Sequence, residues 1–134
     1  YERDAVNSPD LLGKLAFTFL LPGEALRAGF EAQYLGPRLT RKLAANCGFG
    51  LDEIDFIIFT QVRKASIELV MKDLGIPMEK THTVMEDWGY TGSACIPMAL
   101  HDAIEKKKIK SGDRVVLVGS GVGYNQAACA FFMP

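Results

Sequence analysis

The stretch that decides the fold runs from Trp88 to Pro97 and reads WGYTGSACIP. A mixed polar and apolar run, residues 81–87, precedes it, and a helix-like apolar pattern follows it. The stretch therefore reads as a strand-to-helix turn made almost wholly of small residues, in which two glycines allow a tight backbone. Helix N-termini at such turns direct backbone N–H groups at a ligand. Tyr90 is the bulky side chain inside the turn, so it is a candidate functional residue.

Length and composition set limits on the class of protein. The chain has 134 residues and a net charge of −1, which indicates one domain and no charge-driven preference for nucleic acid. The longest apolar stretch, Leu15 to Leu21, is too short to span a membrane. No secretory signal is visible, and the three cysteines show neither metal spacing nor a disulfide framework. We therefore expect a cytoplasmic protein with no metal, nucleic-acid or membrane partner. Because the first residue is Tyr1, we expect a fragment, a processed product or a trimmed chain.

Helical and apolar patterns alternate along the chain. They predict helix, strand, helix, strand, helix, strand, strand at residues 24–46, 54–59, 63–74, 81–85, 93–108, 114–118 and 126–132. Leu11 to Leu21 predicts a possible additional strand, and Gly36-Pro37 is expected to kink or split the first helix. The tight link between the last two strands predicts an antiparallel pair. The order indicates an α/β fold, a mixed sheet with helices on both faces.

Four blocks of sequence carry a family resemblance. They are residues 51–61, residues 74–80, residues 89–100 with Gly89-Tyr90-Thr91 and Ile96-Pro97-Met98, and residues 109–123 with Gly119-Ser120-Gly121-Val122-Gly123. In this order and spacing, residues 51–134 resemble the C-terminal half of a ketoacyl synthase III, a thiolase-fold condensing enzyme. The resemblance is weak over residues 1–50. It implies a single thiolase-like C-terminal half-domain over residues 1–134.

The resemblance also implies where catalytic residues lie. Members of the family are about twice as long and carry the catalytic Cys in the first half, while the second half gives a His and an Asn. In this chain Thr60 occupies the position of the His and Tyr90 that of the Asn, with Gln61 retained beside Thr60. Arg63 stands where the family has another Asn, and Val122 replaces the central glycine of a three-glycine turn. Thr60 and Tyr90 are thus the candidate catalytic residues, and Gln61, Arg63 and Val122 the candidate substrate-binding residues.

The substitutions leave two hypotheses open. A threonine hydroxyl neither titrates near neutrality nor gives a charged hydrogen bond, and the Tyr90 ring fills volume while retaining an O–H donor. The first hypothesis is an atypical acyltransferase of fatty acid or polyketide biosynthesis, acting on acyl-coenzyme A or acyl-carrier-protein thioesters. Its missing Cys half would come from a longer chain or a partner subunit in a homo- or hetero-oligomer. The alternative is a non-catalytic, degenerate partner or structural subunit of a condensing-enzyme complex.

Other reactive residue types have plainer interpretations. Cys95 is near a helix start but reads as a small core residue, as do Cys47 and Cys129. His82 is predicted in a strand and His101 on a lysine-rich helix, and neither has a partner visible in the sequence. Arg63 would attract the phosphates of coenzyme A or of a phosphopantetheine arm, or it would be a solvated first-turn residue. No permanently bound cofactor is expected, because coenzyme A or phosphopantetheine enters as part of the substrate.

Overall fold

A four-stranded mixed sheet organises the protein, analysed as a computed structural model that describes residues 16–20, 32–121 and 125–134. Its strands are β1 (Ala16–Leu20), β2 (Phe56–Phe59), β3 (Arg114–Ser120) and β4 (Gln126–Phe132). Their spatial order is β1-β4-β3-β2, in which β2 and β3 run parallel and the other neighbours run antiparallel. The predicted antiparallel pair and the additional N-terminal strand are both confirmed.

The parallel pair of β2 and β3 lies at one side of the sheet, where β2 is the last strand among the described residues. All four residues of β2 are buried, which explains why this segment shows a continuous apolar run and no alternation. Phe56 pairs with Val115 and Phe59 with Val118, and the Thr60 N–H continues the ladder by donating to the Val118 carbonyl at 3.0 Å. The ladder therefore fixes the first residue after β2, which is where the candidate site begins.

The described part of the chain contains four helices: α1 (Ala32–Cys47), α2 (Lys64–Leu74), α3 (Met85–Trp88) and α4 (Cys95–Glu105). Helices α1 and α2 pack on one face, where their apolar stripes meet alternate residues of the strands. Helix α4 packs on the opposite face through Cys95, Ala99 and Ala103. The prediction of helices on both faces of a mixed sheet is thus confirmed. Two core clusters result, and their fully buried large side chains include Leu39, Leu43, Ile57, Phe56 and Ile58.

Helix α1 passes through the predicted break at Gly36-Pro37 without being split. Pro37 lies in the second turn of α1, so its missing N–H removes a single bond close to the helix start. The Thr40 hydroxyl donates to the Gly36 carbonyl at 2.8 Å. The described helix begins at Ala32, and the earlier part of the predicted helix, residues 24–31, lies outside the described residues.

The strand predicted at residues 81–85 is wrong. Residues 81–84 form an irregular segment, and helix α3 begins at Met85. The carbonyl of His82 and the N–H of Val84 bond to the side chain of Gln61 rather than to a neighbouring strand. A short run of polar and apolar residues fits such a partly buried segment as well as it fits a strand.

The small-residue turn before α4 has the tight backbone that its glycines predict. Gly89 has φ 66° and ψ −155°, a conformation that is nearly restricted to glycine, and Gly92 has φ 61°. A single 3-10 turn, Gly92–Ala94, follows, so α4 begins at Cys95 rather than at Ser93. These two glycines direct the chain from α3 into α4 and leave Tyr90 on the connection.

Two residues of α2 test the packing directly. Met71 is 1% exposed in the core and Leu69, on the opposite side of the same helix, is 51% exposed. We expect Met71→Ala to lower the free energy of unfolding by about 2–5 kcal/mol, because it removes buried surface and leaves a cavity. Leu69→Ala is the matched control and should change it by less than about 0.5 kcal/mol. Urea unfolding followed by circular dichroism measures both, and equal losses would contradict this core.

Candidate functional site

The candidate site begins at Gln61, which is fully buried at the end of β2. Its side-chain Nε2 donates to the His82 carbonyl at 2.7 Å, and its Oε1 accepts from the Val84 N–H at 2.8 Å. The amide thus takes the place of a neighbouring strand for the irregular segment 82–84. These contacts give Gln61 a structural role, and its role in substrate binding stays a prediction.

The backbone of Gln61 also reaches the start of α4. Its N–H donates to the Cys95 sulfur at 3.4 Å, and Cys95 is 2% exposed on the sheet side of α4. The end of β2 and the first turn of α4 are therefore in direct contact. The interpretation of Cys95 as a small packed core residue agrees with this burial.

Thr60 contacts the start of the glycine-rich turn. Its hydroxyl oxygen accepts from the Ser120 N–H at 2.8 Å, while the Ser120 carbonyl lies 3.5 Å from the same hydroxyl. The Ser120 hydroxyl in turn accepts from Gln126 Nε2 at 2.6 Å. The structure therefore brings Thr60 together with the ends of β3 and β4. Val122, the other residue predicted here, lies outside the described residues.

Three large side chains near the end of β2 and in the turn are exposed. Val62 is 60% exposed, Trp88 63% and Tyr90 57%. Tyr90 lies between α3 and the 3-10 turn that leads into α4, so its ring is open to a ligand or a partner. Thr91, next to it, has a buried hydroxyl oxygen without a hydrogen-bond partner among the described residues.

Arg63 is exposed at the N-cap of α2, where its carbonyl accepts from the Ile67 N–H at 3.4 Å. The neighbouring Lys64 instead bonds to Glu86 of α3 at 2.6 Å, and Thr83 donates to the same carboxylate at 3.1 Å. The Lys64 hydrogen bond, helped by the Glu86 N–H and Thr83, lowers the pKa of Glu86 to about 2. Segment 83–86 is thereby tied to α2 as well as to Gln61.

The cysteine and histidine side chains differ in their surroundings. Burial raises the pKa of Cys129, and it also raises the pKa of Cys47 against the opposing effect of Arg114, so both thiols stay protonated at neutral pH. His101 is exposed on α4, whereas His82 is buried between two charged side chains. Sequence reasoning missed these partners of His82, because they are Asp102 and Lys108, 20 and 26 residues further along the chain.

Two further features were sought over residues 16–20, 32–121 and 125–134. No group of three or more metal-binding side chains occurs there. No helix in these ranges has the length and hydropathy needed to cross a membrane.

Comparison with known proteins identifies the fold and the family. Residues 44–133 match the family model described as 3-oxoacyl-[acyl-carrier-protein (ACP)] synthase III C terminal. The chain is 36% identical over 92 residues to a beta-ketoacyl-[acyl-carrier-protein] synthase III of Pyropia yezoensis, covering 69% of this chain and 28% of that protein. It is 41% identical over 76 residues to a synthase III 1 of Halalkalibacterium halodurans, covering 57% and 24%. The crystal structure of the Pseudomonas aeruginosa synthase III superposes with a TM-score of 0.81 at 18% identity, over 95% of this chain and 46% of that one.

The sheet, its two helical layers and the turn before α4 define a thiolase-fold α/β domain. The chain belongs to the 3-oxoacyl-[acyl-carrier-protein] synthase III C-terminal family, because the family model matches more than half of it. The expected resemblance is thereby confirmed. The chain spans less than a third of the length of the curated relatives quoted above.

The tie between Lys64 and Glu86 predicts an acid-dependent loss of stability. The pKa of Glu86 is about 2 in the folded chain and about 4.3 in an unfolded one. The ionised carboxylate therefore adds to the free energy of unfolding above about pH 4.3, and this stabilisation is lost as pH falls toward 2. Lys64→Met removes the main cause of the lowered pKa. We expect its melting temperature to lie below that of the wild-type chain at pH 7, with the difference narrowing as pH falls to 2.

Lys72→Met is the matched control, because Lys72 is an exposed lysine of the same helix. Its melting temperature should follow that of the wild-type chain across the pH range. A difference between Lys64→Met and wild type that stays constant with pH would contradict the role assigned to Glu86.

Proposed function

We propose that this chain is the C-terminal half of an atypical thiolase-fold acyltransferase that acts on acyl-coenzyme A or acyl-carrier-protein thioesters. The nucleophilic Cys would come from an N-terminal half or a partner subunit. Thr60 and Tyr90 would act as the hydrogen-bond donors of the site, at the positions where the family has His and Asn. The proposal includes the expected cytoplasmic location and a place in fatty acid or polyketide biosynthesis.

The observation that carries the proposal is the contact between the end of β2 and the start of α4. Thr60 and Gln61 follow a buried strand, the N–H of Gln61 contacts the first residue of α4, and Tyr90 lies on the turn that leads into that helix. A strand end beside a helix N-terminus is where α/β proteins place a polar substrate group. This arrangement supports a substrate site between the end of β2 and the turn before α4.

The chemistry of these side chains favours acyl transfer over decarboxylative condensation. The Thr60 hydroxyl accepts from the Ser120 N–H at 2.8 Å and donates to the Ser120 carbonyl at 3.5 Å, a long bond that a thioester carbonyl at normal hydrogen-bond distance would replace. The Tyr90 phenol adds a second neutral donor. Two such donors stabilise the oxyanion of an acyl-transfer step, but neither supplies the charged hydrogen bond that an imidazolium gives. The chain would then move an acyl group without decarboxylating a malonyl group.

Arg63 is proposed to attract the phosphates of coenzyme A or of a phosphopantetheine arm. It is exposed, it lies three residues from Thr60, and its neighbour Lys64 is occupied by Glu86. Gln61 and Val122 complete the proposed substrate-binding set, with Gln61 acting through the backbone it holds.

The proposed partner half is supported by the apolar surface around α4. Ile96, Met98 and Leu100 are only partly buried, and Ile104 is 36% exposed. On the same face of the sheet, the β4 residues Ala127, Cys129 and Phe131 are half-buried, whereas the alternate residues on the other face are buried. A helix that is apolar around most of its circumference is normally covered on both sides. We propose that the missing half, or a second copy, covers this surface.

A non-catalytic partner remains the second candidate. It is favoured by the substitution of both family positions and by the exposure of the Tyr90 ring. In that case the chain would shape or stabilise an active subunit without touching the thioester.

Removing single hydroxyls separates the two candidates. The chain would be combined with a Cys-bearing N-terminal half, and acyl transfer from acyl-coenzyme A followed by mass spectrometry of the acylated Cys. Thr60→Val and Tyr90→Phe keep the side-chain volume and remove only the donor. We expect each to slow transfer by about 10²-fold, the effect of losing one oxyanion donor.

Val62→Ala is the control, because Val62 is exposed beside Thr60 and carries no donor. Full transfer rates in both hydroxyl variants, with assembly intact, would favour the non-catalytic partner. No acylation with any acyl-coenzyme A, under conditions that label an ordinary synthase, would rule out the acyltransferase.

The apolar surface predicts association of the isolated chain. In sedimentation velocity we expect dimers or larger species at tens of micromolar concentration. Ile104→Lys should weaken this association by about tenfold or more, because it places a charge in an apolar contact. Leu69→Lys, on the exposed side of α2, should leave it unchanged. A monomer at all concentrations would contradict the proposed partner surface.

A further inference from the structure

A buried histidine lies between an acid and a base behind the candidate site. His82 is 7% exposed, with its Nε2 2.5 Å from Asp102 Oδ2 and its Nδ1 2.9 Å from Lys108 Nζ. Asp102 also accepts from Lys106 at 2.7 Å. Two charged side chains, one from α4 and one from the segment after it, therefore contact the ring, and Lys106 bonds to one of them.

The hydrogen bonds assign the tautomer of the ring. A lysine ammonium can only donate, so Nδ1 must be the acceptor and must carry no proton. Nε2 therefore carries the proton and donates it to Asp102. Lys106, and then His82, lower the pKa of Asp102, so this carboxyl is ionised at neutral pH and accepts both bonds.

The charged groups around the ring come from two helices and one connecting segment. Asp102 lies on α4, Lys106 is the C-cap of α4, and Lys108 lies on the segment that follows. Asp87 of α3 is close enough to add to the effect of Asp102 in raising the pKa of Lys106. The ring thus links α4 to the region of α3.

The backbone that carries this ring is the backbone that Gln61 holds. Gln61 bonds to the carbonyl of His82 and to the N–H of Val84. Val84 is the N-cap of α3, and its carbonyl accepts from the N–H of Trp88 at 3.0 Å. Segment 82–84 is therefore held from β2 on one side and from α4 on the other, and the short helix α3 separates it from Tyr90.

We propose that His82 is a positioning residue: as the neutral Nε2–H tautomer, bridging Asp102 and Lys108, it fixes segment 82–84 against the amide of Gln61. The Lys108 bond needs an Nδ1 without a proton and the Asp102 bond needs a proton on Nε2, so one tautomer makes both contacts. The proposal concerns the folded chain and does not depend on the proposed acyl transfer.

Nuclear magnetic resonance of the uniformly ¹⁵N-labelled 134-residue chain tests the tautomer directly. At pH 7.5 we expect a protonated Nε2 and an unprotonated Nδ1 for His82. In Lys108→Met the Nδ1 signal should shift, because its donor is gone, while the Nε2 proton should stay. Lys107→Met is the matched control, since Lys107 is the adjacent exposed lysine, and it should leave both ring signals unchanged.

Amide hydrogen exchange tests the positioning role in the same samples. In Lys108→Met the Val84 amide should exchange about tenfold faster, the change expected for losing one hydrogen bond of the segment. The Val116 amide, in the interior of β3, should exchange as in the wild-type chain. A role limited to overall stability would instead speed exchange at Val84 and Val116 equally.

Three results would overturn the proposal. The first is an Nδ1–H tautomer in the wild-type chain. The second is a Lys108→Met spectrum that matches Lys107→Met at the His82 ring. The third is acceleration at Val84 no greater than at Val116. The wild-type measurement needs no substitution, so the tautomer is tested even where a variant fails to fold.

Discussion

The buried amide of Gln61 is the interaction on which the arrangement around the site depends. Gln61 follows β2, and its side-chain amide bonds to the backbone of segment 82–84 as a neighbouring strand would. Its backbone N–H donates to the sulfur of Cys95 at the start of α4. A neutral hydrogen bond contributes only about 0.5–1.5 kcal/mol, but a buried group left without one costs about 1–3 kcal/mol. Because Gln61 is fully buried, no water can replace its bonds, and the segment has little freedom to move away.

This structural role changes how the presence of a glutamine at position 61 is interpreted. Gln61 lies next to Thr60 in a stretch that resembles a catalytic motif, so its presence first suggests a binding role. Its two side-chain bonds go to the backbone of the chain itself, which gives a sufficient structural reason for a glutamine there. The contacts of Gln61 therefore hold this part of the fold without help from the side chains of Thr60 and Tyr90. The presence of Gln61 therefore bears on the fold, whereas the hydroxyl groups of Thr60 and Tyr90 bear on the chemistry.

The sequence predicted those parts of the fold whose signal is local. The four residues of β2 are apolar and buried on both faces, and α2 repeats buried residues at helical spacing, so both appear clearly in the pattern. The strand at residues 81–85 was wrong, because its bonds go to a glutamine about 20 residues earlier in the chain. A pattern of polar and apolar residues indicates which residues are buried. It does not indicate which group forms hydrogen bonds with the backbone N–H and carbonyl groups.

The candidate site was predictable only in part, for the same reason. The turn around Tyr90 follows from its glycines, and the positions of Thr60 and Tyr90 follow from the resemblance. The bond between Thr60 and Ser120 spans 60 residues, and the partners of His82 lie 20 and 26 residues away. No spacing rule joins residues so far apart, since their contact depends on the parallel pairing of β2 with β3 and the packing of α4.

The two attachments of segment 82–84 differ in their burial. Gln61 is fully buried and bonds to the backbone of the segment, whereas the two partners of the His82 ring, Asp102 and Lys108, are half-buried and exposed, respectively. Water competes for a hydrogen bond at an exposed side chain and does not reach a fully buried one. The attachment to Gln61, which lies beside Thr60, is therefore the firmer of the two, and the attachment through the ring depends on the position of α4 and of the residues that follow it.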